Sequence, residues 1–203
     1  FGEGMKTVFG GLNLAGGKQG GGGRVAIRLT AATSLADYHG SISARGALNG
    51  AKKSYSSPGT YYLQTAADEP GAGTLLVAGL GNDQVDIDAN FHRTELTPAS
   101  LCAENEIEKM TVVVKDKGYA SITRDAKVED IQIPDATGRL YLNGYTLTVH
   151  RRRHALGTDP AVQVVPGERT DPESGETITG RVEGENFTPQ GKRFVIEISE
   201  LYA

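Results

Sequence analysis

The sequence predicts an all-β fold, and three observations carry that reading. Arg139-Leu140-Tyr141-Leu142-Asn143-Gly144-Tyr145-Thr146-Leu147-Thr148-Val149 alternates apolar with small or polar residues, breaks at a glycine turn, and resumes. That is strand, tight turn, strand, with no helical period. Glycine supplies 27 of 203 residues, about twice its usual share and without a collagen period. Hydrophobic residues make up only 38%. Many short strands, each burying one face, suit that composition better than a helical core.

In chain order, residues 1–23 form a glycine-rich lead-in anchored by Val8, Phe9, Leu12 and Leu14. Arg24–Leu29 follows as a strand with Val25, Ile27 and Leu29 on one face. Gly40–Gly46, Thr60–Thr65, Thr74–Leu80 and Gln84–Ala89 continue the pattern between glycine-bearing turns. Strand starts fall at positions 24, 41, 60 and 74. Their spacing, roughly 14 to 19 residues, is a recurring scale that indicates a solenoid, without a literal repeat. The polar stretch 90–107 interrupts this, and Pro98–Glu104 suits a short helix or lateral excursion. Strand texture then returns at Lys109–Val114, Tyr119–Thr123, Val128–Ile133 and Leu140–Val149. Asn143-Gly144 also suits a hairpin, so an antiparallel β-sandwich or meander is the alternative. Gly157–Gly175 reads as a loop before the last strands, Thr177–Val182 and Arg193–Ile198, the latter an edge or cap. The organisation expected is therefore a solenoid over 1–156, with 157–203 as its loop and capping strands. Its core consists of Val25, Ile27, Leu29, Ile42, Leu63, Leu75, Val77, Val112, Val114, Ile122, Ile131, Leu140, Leu142, Leu147 and Val149.

Charge and motifs exclude several functions. A net charge of −4 gives no basic face for nucleic acid. The run His150-Arg151-Arg152-Arg153-His154 is too local to change that and reads as a solvated turn or strand edge. No stretch reaches the ~18 apolar residues of a membrane helix. Phe1-Gly2-Glu3-Gly4 has neither a basic nor an apolar signal region, so the chain reads as a processed or truncated piece of something longer. Cys102 is the single cysteine, which rules out an intrachain disulfide and a thiolate zinc site. Gly17-Lys18 has Leu12 and Gln19 where a phosphate loop needs glycine and a hydroxyl.

The remaining site signals are sparse. Asp83, Asp86 and Asp88 form an acidic cluster, with Asp86 and Asp88 on one strand face, where Ca²⁺ would take carboxylate oxygens. The histidines show no metal spacing: His150 and His154 are four apart, which aligns them on a helix and not on a strand. No combination of residues selects a catalytic group.

Two segments resemble known families. Gly20–Ile27 with Gly40–Gly46 and Pro58–Leu63 resembles a glycine-rich module of large bacterial surface and secreted proteins. Lys117–Tyr119 through Leu140–Val149 resembles the rungs of pectin-lyase-like right-handed β-helices. The resemblance implies a right-handed parallel β-helix outside the bacterial cell, secreted or at the cell surface. It implies a structural or adhesive role, with self-association or the remainder of a larger parent chain as partner, and a glycan as the further partner. The rival it implies is a carbohydrate-active enzyme, most naturally a polysaccharide lyase, or a glycan-binding module of a larger enzyme. Such a lyase needs a basic residue beside its substrate, and Lys115, Lys117, Arg124, Lys127, Arg139 and Arg151 are the candidates, with none selected by spacing. The bacterial resemblance also argues against glycosylation at Asn186-Phe187-Thr188.

Overall fold

The computed structural model describes residues 22–39, 57–79, 93–97, 107–150, 164–184 and 194–196, with positions 42, 44, 46, 48, 49, 54 and 55. All regular structure among them is strand and no helix occurs. Three main sheets are present. The first contains β1 (Arg24–Arg28), β4 (Thr60–Gln64), β5 (Thr74–Ala78), β7 (Thr111–Lys115) and β10 (Asp130–Gln132), in that order. The second contains β6 (Thr94–Glu95), β8 (Tyr119–Ser121), β11 (Arg139–Tyr141) and β13 (Val164–Val165). The third contains β9 (Ala126–Val128), β12 (Thr146–Val149), β16 (Arg181–Gly184) and β17 (Phe194–Ile196). Two small hairpins complete the set, β2 (Leu48–Asn49) with β3 (Ser54–Tyr55) and β14 (Glu168–Thr170) with β15 (Thr177–Thr179).

Pairing is mostly parallel, and its partners lie on successive passes of the chain. Thr111 pairs with Asp130, Tyr119 with Arg139, and Ala126 with Leu147. The three sheets thus share nearly one interval, roughly 20 residues. From β7 to β12 each pass gives one strand to each sheet. In the next pass Leu140 pairs with Val164 and Leu147 with Val182, and the second of these longer intervals accommodates the β14–β15 hairpin. The apolar positions of these strands converge on one core. Val77, Val112, Val114, Ile122, Ile133, Leu140 and Leu142 are fully buried there, with Leu75, Ile131, Leu147 and Val149 beside them.

Several expectations need correction. Asn143-Gly144 does not close a hairpin: β11 and β12 belong to different sheets, so the turn redirects the chain from the second to the third. The two residues have φ of 52° and 80°, and the Tyr145 N–H donates to Leu142 O at 2.9 Å across them. At Gly144 any Cβ would meet the Arg169 backbone nitrogen at 2.6 Å, so both conformation and space demand glycine. Strands do start at 24, 60 and 74, and position 41 lies outside the described residues, but in the first half pairing does not follow that interval. Arg24 pairs with the distant Thr60, while β4 and β5 form an antiparallel pair that reverses strand direction within the sheet. That register puts Tyr62 and Leu75 on the core face. Val25 and Ile27 pair with Tyr61 and Leu63, so these four lie half-buried on the opposite face. β6 falls inside the stretch read as an interruption. The strand expected at Thr177–Val182 is two strands in different sheets, β15 and β16, divided at Gly180. β17 pairs antiparallel with β16 at the edge of the third sheet, where a terminal edge strand was expected.

The corners are held by side chains from a neighbouring pass. Between β7 and β8 the chain turns through Asp116 and Lys117, both left-handed, with φ of 52° and 59°. Two such L residues cost roughly 1–2 kcal/mol each. The turn bond from Gly118 N–H to Lys115 O (2.8 Å) offsets part of this. One pass later, Asp135 Oδ2 accepts the Asp116 N–H at 2.7 Å and Thr137 Oγ1 accepts the Lys117 N–H at 2.8 Å. Asp135 Oδ1 accepts from the Thr137 and Gly138 N–H groups at 2.7 and 3.0 Å. The other corners repeat the device. Asp125 Oδ1 accepts the Thr146 N–H at 2.7 Å, Thr97 Oγ1 accepts the Thr123 N–H at 3.1 Å, and Asn143 Nδ2 donates to Ile122 O at 2.9 Å.

Partial burial pushes the Asp135 carboxyl up, but the bonds from the Thr137 hydroxyl and the Asp116, Thr137 and Gly138 N–H groups outweigh it, and the net shift is downward. A carboxyl whose folded pKa is depressed stabilises the fold above its unfolded value near ~3.9, and that contribution disappears as pH falls through the folded value. Asp135→Ala is expected to cost about 2 kcal/mol at neutral pH, from lost bonds to a charged acceptor. Urea denaturation at several pH values checks this: the gap between parent and variant must narrow as the solution is acidified below the ordinary carboxylate range.

Candidate functional site

Strand alternation gives each sheet an outward face, and two of these faces gather reactive side chains. On the third sheet the core face takes Ala126, Val128, Leu147, Val149 and Val182. The residues between them point outward. Lys127, Thr148 and Glu183 form one row across β9, β12 and β16, and Thr146 pairs with Arg181 in the adjacent row. Strand spacing puts neighbours in a row about 4.8 Å apart. Glu183 is only 3% exposed and Thr148 4%. An outward carboxylate that is buried needs charged or hydrogen-bonding partners. Arg181 Nε donates to Glu183 Oε1 at 2.9 Å, from a side chain that is itself half exposed.

At the rim of this face, the turn before β7 brings in Glu108. Its Oε1 lies 3.3 Å from His150 Nε2 and 4.0 Å from Lys127 Nζ. His150 is set by its own backbone, whose N–H donates to Val128 O at 3.0 Å. A carboxylate, an imidazole and an ammonium group therefore share one accessible spot. It can give and take hydrogen bonds with a hydroxyl-rich or charged ligand.

The second sheet presents an aromatic and basic face. Arg139 pairs with Tyr119, and Arg93, one residue before β6, extends that row. Glu95, Ser121 and Tyr141 form the next row. The Arg93 guanidinium carbon lies 3.6 Å from the Tyr141 ring centroid, and its Nη1 donates to Asn143 Oδ1 at 3.0 Å. Tyr119 meets Tyr141 edge to face at 6.3 Å. Arg139 Nη1 donates to the carbonyls of Ala136 (2.6 Å) and Gly138 (2.8 Å). Among the described residues its charge pairs with no carboxylate. The β14–β15 hairpin stands beside this face, its Arg169 placed 4.9 Å over the Tyr145 ring. A shallow open depression lined by Pro166, Gly167, Glu168 and Thr179 lies at the hairpin's base.

The sequence candidates distribute as follows. Asp83, Asp86 and Asp88 lie outside the described residues, as do Cys102, Arg151 and His154. No group of three or more metal-ligating side chains occurs among the described residues. The basic candidates are not brought together. Lys115 sits at the end of β7, 3.5 Å from Asp116; Lys117 and Arg124 stand at different corners; Arg139 is on the second sheet and Lys127 on the third. Lys127 meets Glu108, the carboxylate that His150 also meets. Glu108, Thr148 and Glu183 were not singled out from sequence, although alternation in Thr146–His150 and Arg181–Glu183 marks the last two as outward. On the first sheet, the outward Tyr61 hydroxyl is buried without a hydrogen-bond partner. Burial, and then Tyr38, raise its pKa.

No helix among the described residues is long and apolar enough to cross a membrane. Comparison with protein-family models, curated proteins and solved structures finds no match to this chain.

The Glu183–Arg181 pair is testable by stability. Arg181→Ala is expected to lower the folding free energy by about 1–2 kcal/mol, because a buried carboxylate loses a charged donor. Arg139→Ala, which touches only carbonyls at the surface, should stay within about 0.5 kcal/mol of the parent. Urea midpoints of the two variants, at unchanged m-value, make the comparison.

Proposed function

We propose that the chain is a segment of a right-handed parallel β-helix acting as a structural or adhesive module, secreted by or displayed on a bacterial cell. The observation that supports this most is that from β7 to β12 each pass gives one strand to each of three sheets, joined in parallel at nearly the same interval along the chain. A stack of that kind is stiff along its axis and carries its outward side chains in rows. Its ends leave strand edges to be paired, with further copies or with the remainder of a parent chain. The glycine-rich segments that resemble bacterial surface proteins favour the extracellular setting.

A second reading, a glycan-binding or carbohydrate-active β-helix, is favoured by the row Arg93–Tyr119–Arg139. Basic and aromatic groups spaced about 4.8 Å apart along a sheet suit a linear chain of sugars lying across the strands. The leading reading expects small-angle scattering of an elongated particle and sedimentation that rises with concentration. It expects no turnover of plant or bacterial polysaccharides. The second expects retention on immobilised polysaccharide that Tyr119→Ala and Arg139→Ala both weaken. A compact particle that is monomeric at every concentration would overturn the leading proposal, and equal retention of both variants would overturn the second.

A further inference from the structure

We propose that Asn143-Gly144 is a modification site gated by the fold, held as asparagine while the passes stay stacked and converted to aspartate or isoaspartate once that corner opens. Asn-Gly is chemically vulnerable because glycine leaves the following amide nitrogen unhindered. In the reaction the Gly144 nitrogen gives up its proton and attacks Asn143 Cγ. A new C–N bond forms, the bond to Nδ2 breaks, and the side-chain nitrogen departs as ammonia. Water then adds to the resulting cyclic imide and opens it at either carbonyl, yielding aspartate or isoaspartate. Water is the only co-reactant.

Every atom in that sequence is restrained here. Asn143 Nδ2 donates to Ile122 O of the preceding pass at 2.9 Å, and Asn143 Oδ1 accepts from Arg93 Nη1 at 3.0 Å. The attacking nitrogen is itself occupied, since the Gly144 N–H donates to Pro166 O of the following pass at 3.0 Å. Gly144 O accepts from Arg169 Nε at 3.2 Å. Side chain and nucleophile are thus tied to different passes, and neither can swing toward the other without breaking bonds between passes. Conversion cannot be reversed by refolding. An aspartate would set a carboxylate oxygen against the Ile122 carbonyl, acceptor against acceptor, and isoaspartate would add a methylene to the backbone of a tight turn.

The test follows conversion at residue 143 by peptide mapping, in warm, mildly alkaline buffer, for the parent protein folded and in urea. Folded protein is expected to convert at least roughly tenfold more slowly, a factor of ten for each ~1.4 kcal/mol needed to open the corner. Arg93→Ala removes one restraint and should raise the folded rate several-fold while leaving the rate in urea unchanged. Equal rates for folded and unfolded parent protein would overturn the proposal. An Arg93→Ala variant that stays folded by circular dichroism yet converts no faster would remove Arg93 from it. Asn143→Asp supplies an independent check: its denaturation midpoint must fall below the parent's, and an unchanged midpoint would refute the claim that conversion breaks the corner.

Discussion

A short pass divided among three sheets cannot satisfy its own backbone. Its strands run side by side with those of the passes before and after it, and their N–H and C=O groups point along the stack. Each pass therefore exists only as a neighbour of another, and everything else in this molecule follows from that dependence. The corners obey the same rule. Asp135 caps the turn at Asp116, Asp125 receives the Thr146 N–H, and Asn143 reaches back to Ile122. Two left-handed L residues at Asp116 and Lys117 persist because the next pass holds their N–H groups. The core adds apolar burial to this ladder, with Val77, Val112, Val114, Leu140 and Leu142 withdrawn from water.

Much of this was legible in the chain. Alternation with period two identified β7, β8, β10, β11 and β12 and the inward placement of Val112, Val114, Leu140, Leu142, Leu147 and Val149, but not β9, which the reading did not separate from β10. Glycine and Asn-Gly pairs marked the corners. Alternation says which residues share a face but not which sheet a strand joins, so Asn143-Gly144 looked equally suited to a hairpin. Partner choice is set by chain length between strands, and that length varies. The same limitation undid Val25, Ile27 and Leu63. Their alternation is clear, but the face they occupy depends on the antiparallel β4–β5 pairing, a contact between segments with no distinguishing pattern.

The chemistry was harder to read than the architecture. Lys127, Thr148 and Glu183 stand in one row because β9, β12 and β16 pair in register. The step from β9 to β12 follows from the regular pass; the step from β12 to β16 contains the β14–β15 hairpin, which no periodicity announces. Glu108 meets His150 through a turn that has no alternation at all, from a distant part of the chain. Sequence reasoning instead favoured basic residues by type, and the structure spreads them over separate corners and sheets. Co-location on a stacked fold is a property of register.

The β14–β15 hairpin shows where this architecture has room to change. It adds length between the second and third sheets, yet Leu147 still meets Val182 and Thr148 still meets Glu183 in unbroken register. Its tip, Asp171 to Gly175, folds on itself: Asp171 accepts the N–H groups of Glu173 and Ser174 and shares two backbone bonds with Glu176 and Gly175. Among the described residues the tip's hydrogen bonds are made within the tip itself. Evolution can lengthen, shorten or redecorate such an outgrowth without renegotiating the core, and an engineer can graft an epitope there on the same terms. In this molecule diversity is free on the outgrowth and forbidden in the passes that carry it.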